Sequence, residues 1–218
     1  MDRRAFLGSL VAVATPSLVR SVHAAPLPGT IAQSFVTQTW TQLSALQGQP
    51  PTPPRNQRIL ALVDAAFDWP RFLTTLVGQV GPVPPPNPLA LEAQVRALLG
   101  LGLLHELPSW GNLPPLKIGA VHGLGKDLHC VPTTAGQTDL EFVVHVGQQV
   151  GLADLFVYDV SYAKVLGWEV ARVAKKEGWA AVAKRLDTRI AQHRAKLGVP
   201  PLSPSPPVNT PAVVRKGP

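Results

Sequence analysis

The chain has 218 residues, a formal net charge of +7, 24 prolines and a single cysteine. This length suits one domain with a full apolar core, and a single cysteine excludes an internal disulfide, so stability must come from apolar burial. The modest positive charge suits anionic headgroups or an acidic partner. Because no nucleic-acid-binding motif accompanies it, we expect no nucleic-acid partner.

The N-terminus predicts a cleaved export signal over residues 1–24. Arg3 and Arg4 precede a mildly apolar stretch, which is shorter than the ~20 apolar residues of a membrane-spanning helix. The run that ends at Ala24 has the small residues that a signal peptidase requires. The arginine pair favours the twin-arginine route, with the general secretory route as the alternative. We therefore expect an exported protein.

Proline-rich segments divide the first half of the chain. Proline lacks an N–H donor and has a fixed φ, so segments 50–54 and 82–86 are expected to be loops. Apolar residues at helical spacing predict helices around these loops, and Asn87 followed by Pro88 is a typical helix start. The predicted helices are 29–47, 55–67, 70–80 and 87–107.

After Pro115 the apolar residues alternate with polar ones, which predicts strands. Short glycine-containing links between strands require antiparallel pairing. Helical spacing returns at about residue 163 and continues to about 197, with a break at Gly178. The predicted strands are 118–120, 128–130, 140–146 and 155–162.

This order of elements predicts an α+β fold. We expect an antiparallel sheet of four strands, or slightly more, with helices packed over one face. Residues 25–199 form one predicted domain. Residues 200–218 are rich in proline and small residues with little to bury, which predicts a disordered tail.

Three parts of the chain resemble the MlaC family, which comprises periplasmic lipid-binding proteins also described as toluene-tolerance auxiliary proteins of ABC transporters. The matching parts are residues 62–78, the helix after Asn87, and 156–160 leading to 176–186. The resemblance spans most of residues 55–189 and rests on the order and spacing of these segments.

The resemblance implies a monomeric periplasmic carrier that needs no cofactor. Such a carrier holds the acyl chains of a phospholipid in an apolar cavity between a sheet and helices. It shuttles the lipid between an outer-membrane lipoprotein complex and an inner-membrane ABC transporter complex. A branch of the family associated with hopanoid synthesis shares the pattern, so a hopanoid-like cargo stays open.

The predicted cavity lies between the sheet and the long helix 87–107. Burying each methylene contributes about 0.8 kcal/mol, so two acyl chains need an enclosed apolar space. Because alternate strand residues point to opposite faces, only one parity of the strand candidates can face the lipid. The candidate wall residues are Phe72, Leu76, Leu99, Leu103, Phe142, Val144, Phe156, Tyr158 and Val160.

Basic residues concentrate on the last two predicted helices. They are suited to phosphate headgroups or to the acidic face of a membrane-bound partner, and the alternative is an ordinary solvated face. The candidate contacts are Lys175, Lys176, Lys184, Arg185 and Arg189.

Two other functions stay open, a non-catalytic peptide-binding or assembly module and a small hydrolase. A hydrolase would need Cys130 to converge with two or three of the histidines His122, His129 and His145. Their spacing is not typical of a zinc site, and the neighbours of Cys130 are those of a buried thiol. We therefore predict no catalytic residue and no metal.

Overall fold

The computed structural model describes residues 27–81, 84–110 and 112–199. The predicted signal 1–24 and the predicted tail 200–218 lie outside the described residues. The helices closely follow the predicted ranges, and none in the described segments is long and apolar enough to span a membrane. They are α1 Pro28–Gln47, α2 Pro53–Ala66, α3 Trp69–Gly78, α4 Pro88–Glu106, α5 Tyr162–Glu177 and α6 Trp179–Leu197.

Side-chain caps begin four of these helices. Thr52, Asp68, Asn87 and Ser161 each accept a hydrogen bond from the backbone N–H three residues later, at the starts of α2, α3, α4 and α5. Each bond satisfies an N–H that has no partner within the helix. Gly178 ends α5 and precedes α6 with φ of 84°, a conformation that favours glycine.

The strands form an antiparallel sheet, which confirms the predicted α+β fold. In the described part of the chain the order is β1-β3-β4-β5-β6, with β2 also paired to β3. The long strands β3, β4 and β5 form its centre. The strands are β1 Leu116–Ile118, β2 His122–Gly123, β3 Leu128–Ala135, β4 Thr138–Val146, β5 Val150–Val157 and β6 Val160–Ser161.

The predicted strand 155–162 is wrong in its second half. The chain reverses at Tyr158 and Asp159, which have φ of 48° and 63°, and β6 pairs back onto β5. Positive φ at both central residues is typical of a two-residue hairpin turn whose twist matches the flanking strands. The strand therefore ends at Val157, and the side chains that follow no longer continue its alternation.

One face of the sheet is covered by α1, which contacts β1, β3, β4 and β5. The other helices form a bundle beside β5, where α2, α3 and α5 meet the sheet. At this junction the Asp68 N–H donates to the Leu152 carbonyl (2.9 Å). The long helix α4 packs mainly on α6 and α2 rather than on the sheet, because its apolar residues cover more than one side and need helices around them.

The buried side chains form three clusters. The helical core joins α3, α4, α5 and α6 around Phe72 and Leu76, which are fully buried. The sheet core joins α1 to the covered sheet face around Val36, Val131 and Val144. A third cluster lies where α1, α2 and α4 meet. The apolar interior is thus divided between a sheet layer and a helical bundle.

Candidate functional site

A groove of about 490 Å³ lies between α5 and α6. Its volume falls within the range of about 300 to 1,000 Å³ that is usual for small-molecule sites. Leucine and valine residues spaced three or four apart on each helix place one apolar side of α5 opposite one apolar side of α6. The buried residues of this floor are Leu166, Val170, Val173, Val182 and Leu186.

The rim of the groove is charged, and ion pairs cross it from α6 to α5. Arg189 donates to both carboxylate oxygens of Glu169, at 2.8 and 2.5 Å. Arg185 donates to Glu177 at 2.6 Å. Lys184 also lines the rim and makes no ion pair with any described residue. The rim therefore carries three cations and two carboxylates around an apolar floor.

Tyr162 stands in the first turn of α5. It lies close enough to Arg189 on α6 for the two side chains to interact electrostatically. Burial raises the pKa of its phenol, and the nearby Arg189 guanidinium acts in the opposite direction. The ring as a whole is still partly exposed. Tyr162 therefore lies near Arg189 of the rim without lining the groove.

The structure brings together three of the five predicted headgroup contacts. Lys184, Arg185 and Arg189 line the same groove. Lys175 and Lys176 are exposed on α5 and do not line it. The predicted basic cluster is therefore divided between a groove rim and an outward-facing surface.

Five of the nine predicted wall residues are buried, but in two separate clusters. Phe72, Leu76 and Leu99 belong to the helical core. Phe142 and Val144 belong to the sheet core, under α1. The structure therefore does not bring these five side chains to one wall, since α4 does not lie across the sheet.

The other four predicted wall residues lie nearer the surface. Leu103 is half-buried and packs against the third cluster, and Phe156 on β5 is half-buried. Tyr158 and Val160 are exposed, because the turn at 158–159 takes them out of the sheet alternation. As lipid contacts, all nine residues stay a prediction.

The cysteine and histidines proposed for a hydrolase do not form an activated nucleophile. Cys130 pairs across the strands with His122, but burial and the neighbouring Glu141 raise the pKa of its thiol to about 11. A catalytic cysteine needs a lowered pKa, because the thiolate is the reactive form. In the described segments no group of three or more His, Cys, Asp or Glu side chains is arranged to hold a metal ion.

His145 joins the sheet to α3. Its Nδ1 lies 2.7 Å from Asp68 Oδ2, and its Nε2 lies 3.0 Å from Arg71 Nη2. Arginine only donates, so Nε2 accepts from Arg71 and the Nδ1 N–H donates to Asp68. Because Asp68 also caps α3, this cluster joins the end of β4 to the start of α3.

The fold resembles that of a solved lipid-binding protein. That protein is a phospholipid-binding protein from Ralstonia solanacearum, solved in complex with a phospholipid. The two chains share 18% sequence identity, with a TM-score of 0.61 over 74% of this chain and 98% of the other. The likeness at this identity shows a shared fold. No protein-family model matches the sequence, and no curated protein matches it.

Neither the groove nor its acidic residues Glu169 and Glu177 were predicted from the sequence. The apolar sides of α5 and α6 could have been read from the sequence, because Val170 and Val173 on one helix, and Val182 and Leu186 on the other, are three or four residues apart. The pairing of Glu169 with Arg189 joins two helices across the Gly178 break. Only the angle between α5 and α6 decides that pairing, and spacing along the chain does not encode this angle.

Proposed function

We propose that this protein is a periplasmic lipid carrier that binds a phospholipid at the α5–α6 groove. The open apolar floor of this groove takes part of the acyl chains, in place of the enclosed cavity that the sequence predicted. The observation that carries the proposal is the apolar floor of that groove beneath a rim of Lys184, Arg185 and Arg189. A phospholipid has the matching construction, with apolar chains below an anionic phosphate. The similarity in fold to a phospholipid-binding protein solved with its lipid also supports the proposal.

The chemistry of the rim suits a phosphate. Arginine presents a planar fork of donors that fits carboxylate and phosphate oxygens equally well. In the proposed complex the phosphate replaces Glu169 as the acceptor of Arg189, or Glu177 as the acceptor of Arg185. Each buried methylene contributes about 0.8 kcal/mol, so the chains supply most of the affinity and the rim orients the lipid.

The proposed role is that of a shuttle. The carrier, as a monomer, accepts lipid at one membrane complex and delivers it at another, an outer-membrane lipoprotein complex and an inner-membrane ABC transporter complex. A phospholipid is the proposed cargo, and a hopanoid-like lipid would use the same apolar floor without the phosphate contact. The rim arginines therefore distinguish the two cargoes.

The decisive experiment is native mass spectrometry of the protein purified from its own cells without detergent, followed by organic extraction. We expect one lipid adduct per chain. The variant Ala181→Trp places a large side chain in the groove and should lose the adduct. The matched control Ala65→Trp, at an exposed position on α2, should keep it.

The outcomes separate the alternatives. A bare mass that also takes no lipid from vesicles would contradict the carrier and favour a peptide-binding module. An adduct that survives Ala181→Trp at full occupancy would move the site away from the groove. In that case the predicted wall residues around Leu99 and Phe142 become the next positions to substitute.

A further inference from the structure

The outer surface of α5 carries a group of exposed apolar side chains. Tyr162, Val165 and Trp168 are 45%, 43% and 58% exposed. They recur every three residues, so they follow one side of the helix that points away from both the helical core and the groove floor. Exposed aromatic side chains grouped in this way are typical of an interaction surface.

Four cations surround this apolar stripe. Lys164, Arg172, Lys175 and Lys176 are all exposed on α5, and in the described residues none of them makes an ion pair. The two carboxylates of α5 are instead bound by the arginines of α6. The outward surface of α5 therefore presents unneutralised positive charge beside aromatic rings.

The Trp168 ring can enter an apolar environment because its indole N–H already has a hydrogen-bond partner. Its indole N–H donates to Gln79 Oε1 at 2.9 Å, so the only polar group of the side chain already has a protein partner. The exposed ring can enter an apolar layer without stranding a donor. Tryptophan and tyrosine favour the boundary between lipid headgroups and acyl chains.

From this juxtaposition we infer that the outer surface of α5 docks on an anionic lipid bilayer, with Trp168, Val165 and Tyr162 in the interfacial layer and the four cations on the headgroups. The inference extends the proposed carrier function and rests on it for its purpose. The same helix also carries one wall of the groove, so docking brings the groove beside the bilayer.

Vesicle flotation tests the surface. Vesicles of equal parts phosphatidylglycerol and phosphatidylcholine should bind the protein, and vesicles of phosphatidylcholine alone should bind it far more weakly. Replacing Arg172 and Lys176 together by glutamine should lower the partition coefficient about 25-fold, since each cation near an anionic surface contributes about fivefold. The charge-matched control replaces Lys117 and Lys126, exposed cations outside α5, and should keep most of the binding.

Depth is measured by quenching of tryptophan fluorescence with brominated phosphatidylcholine in the same vesicles. Trp168→Phe should abolish most of the quenching, whereas Trp179→Phe should leave it intact. Absence of vesicle binding, or an equal loss in both charge variants, would overturn the inference. If the protein bound no vesicles, the partner of this surface would instead be an acidic protein.

Vesicle flotation and native mass spectrometry test membrane docking and lipid binding separately. The α5 substitutions change no residue of the groove lining, so they should leave the lipid adduct in native mass spectrometry unchanged. A protein that keeps its adduct but does not bind vesicles contradicts docking alone. A protein that binds vesicles but never acquires an adduct contradicts the carrier alone.

Discussion

The two sides of α5 differ in how they pack. On the α3 side the helices approach so closely that a Cβ on Gly167 would overlap the carbonyl oxygen of Leu76 and lie 2.8 Å from Gln79 Cγ. On the α6 side the same helix leaves a groove of about 490 Å³ over apolar residues. One side of α5 is therefore fully packed, and the other side is left open as a groove.

The largest expected loss is at the anchor of the packed side, Asp154. This buried carboxylate on β5 accepts hydrogen bonds from Ser161 Oγ (2.5 Å) and the Ala163 N–H (3.1 Å) at the start of α5. Asp154→Ala should lower the free energy of unfolding by about 3 kcal/mol, because it leaves buried donors without an acceptor. Urea denaturation measures the change. Asp139→Ala, at an exposed position, is the control, and an equal loss there would contradict the anchoring role.

The next largest effect tests the close approach directly. Gly167→Ala should lower the free energy of unfolding by about 2 kcal/mol, because α3 and α5 must separate to make room. A Cβ on Gly102 of α4 would meet no heavy atom of the described residues within 4 Å. Gly102→Ala should therefore raise stability by about 0.5 kcal/mol through helix propensity. Stabilisation by both alanines would show that the two helices are not in close contact.

A smaller effect is expected on the open side. Ala181 lines the groove and is half-buried, so the larger side chain of Ala181→Leu enters free space instead of overlapping a neighbour. The free energy of unfolding should change by less than about 0.5 kcal/mol. Thermal and urea denaturation would check this expectation. A loss as large as that of Gly167→Ala would mean that α5 is equally packed on both sides.

The smallest expected effect on stability comes from the contact between α6 and α4. There His193 faces His105, with ring centroids 5.4 Å apart. Burial lowers the pKa of His193, and His105 and Lys196 lower it further against the opposing effect of Glu106. The unfolded chain then binds the proton more strongly, with a pKa of about 6.5. The contribution of His193 to the free energy of unfolding should be complete above about pH 6.5 and decrease as the pH falls below that value.

Denaturation of His193→Gln across this pH range measures the contribution. The variant should lose less stability on acidification than the parent protein does. His122→Gln, at an exposed position on β2, should leave the pH dependence unchanged. A steeper acid loss in His193→Gln would reverse the sign of the argument.

Much of the secondary structure could be predicted because its signals are local. Asn87 and Pro88 define the start of α4, and Gly178 separates α5 from α6, as the sequence indicates. The end of β5 could not be predicted, because Tyr158 at φ of 48° contradicts the usual preference of a bulky residue. The pairing with β6 holds this turn in place against the local preference.

The placement of α4 is the clearest failure. The leucines of α4 cover more than one side of the helix, but the sequence does not say which elements bury them. The sheet was the expected neighbour, whereas α6 and α2 take that position and α1 covers the sheet. Candidate residues assigned by this assumption, Leu99 and Phe142 among them, consequently fall in different cores.

The ion pairs at the rim affect how the proposed lipid would bind and leave. Glu177 and Glu169 accept hydrogen bonds from Arg185 and Arg189 across the rim, so both arginines already have an acidic partner within the protein. An incoming phosphate must compete with these carboxylates, and a departing one is replaced by them. Under the proposed function, this competition would limit the affinity for the phosphate and shorten the residence time of the lipid, which would help the carrier to release it.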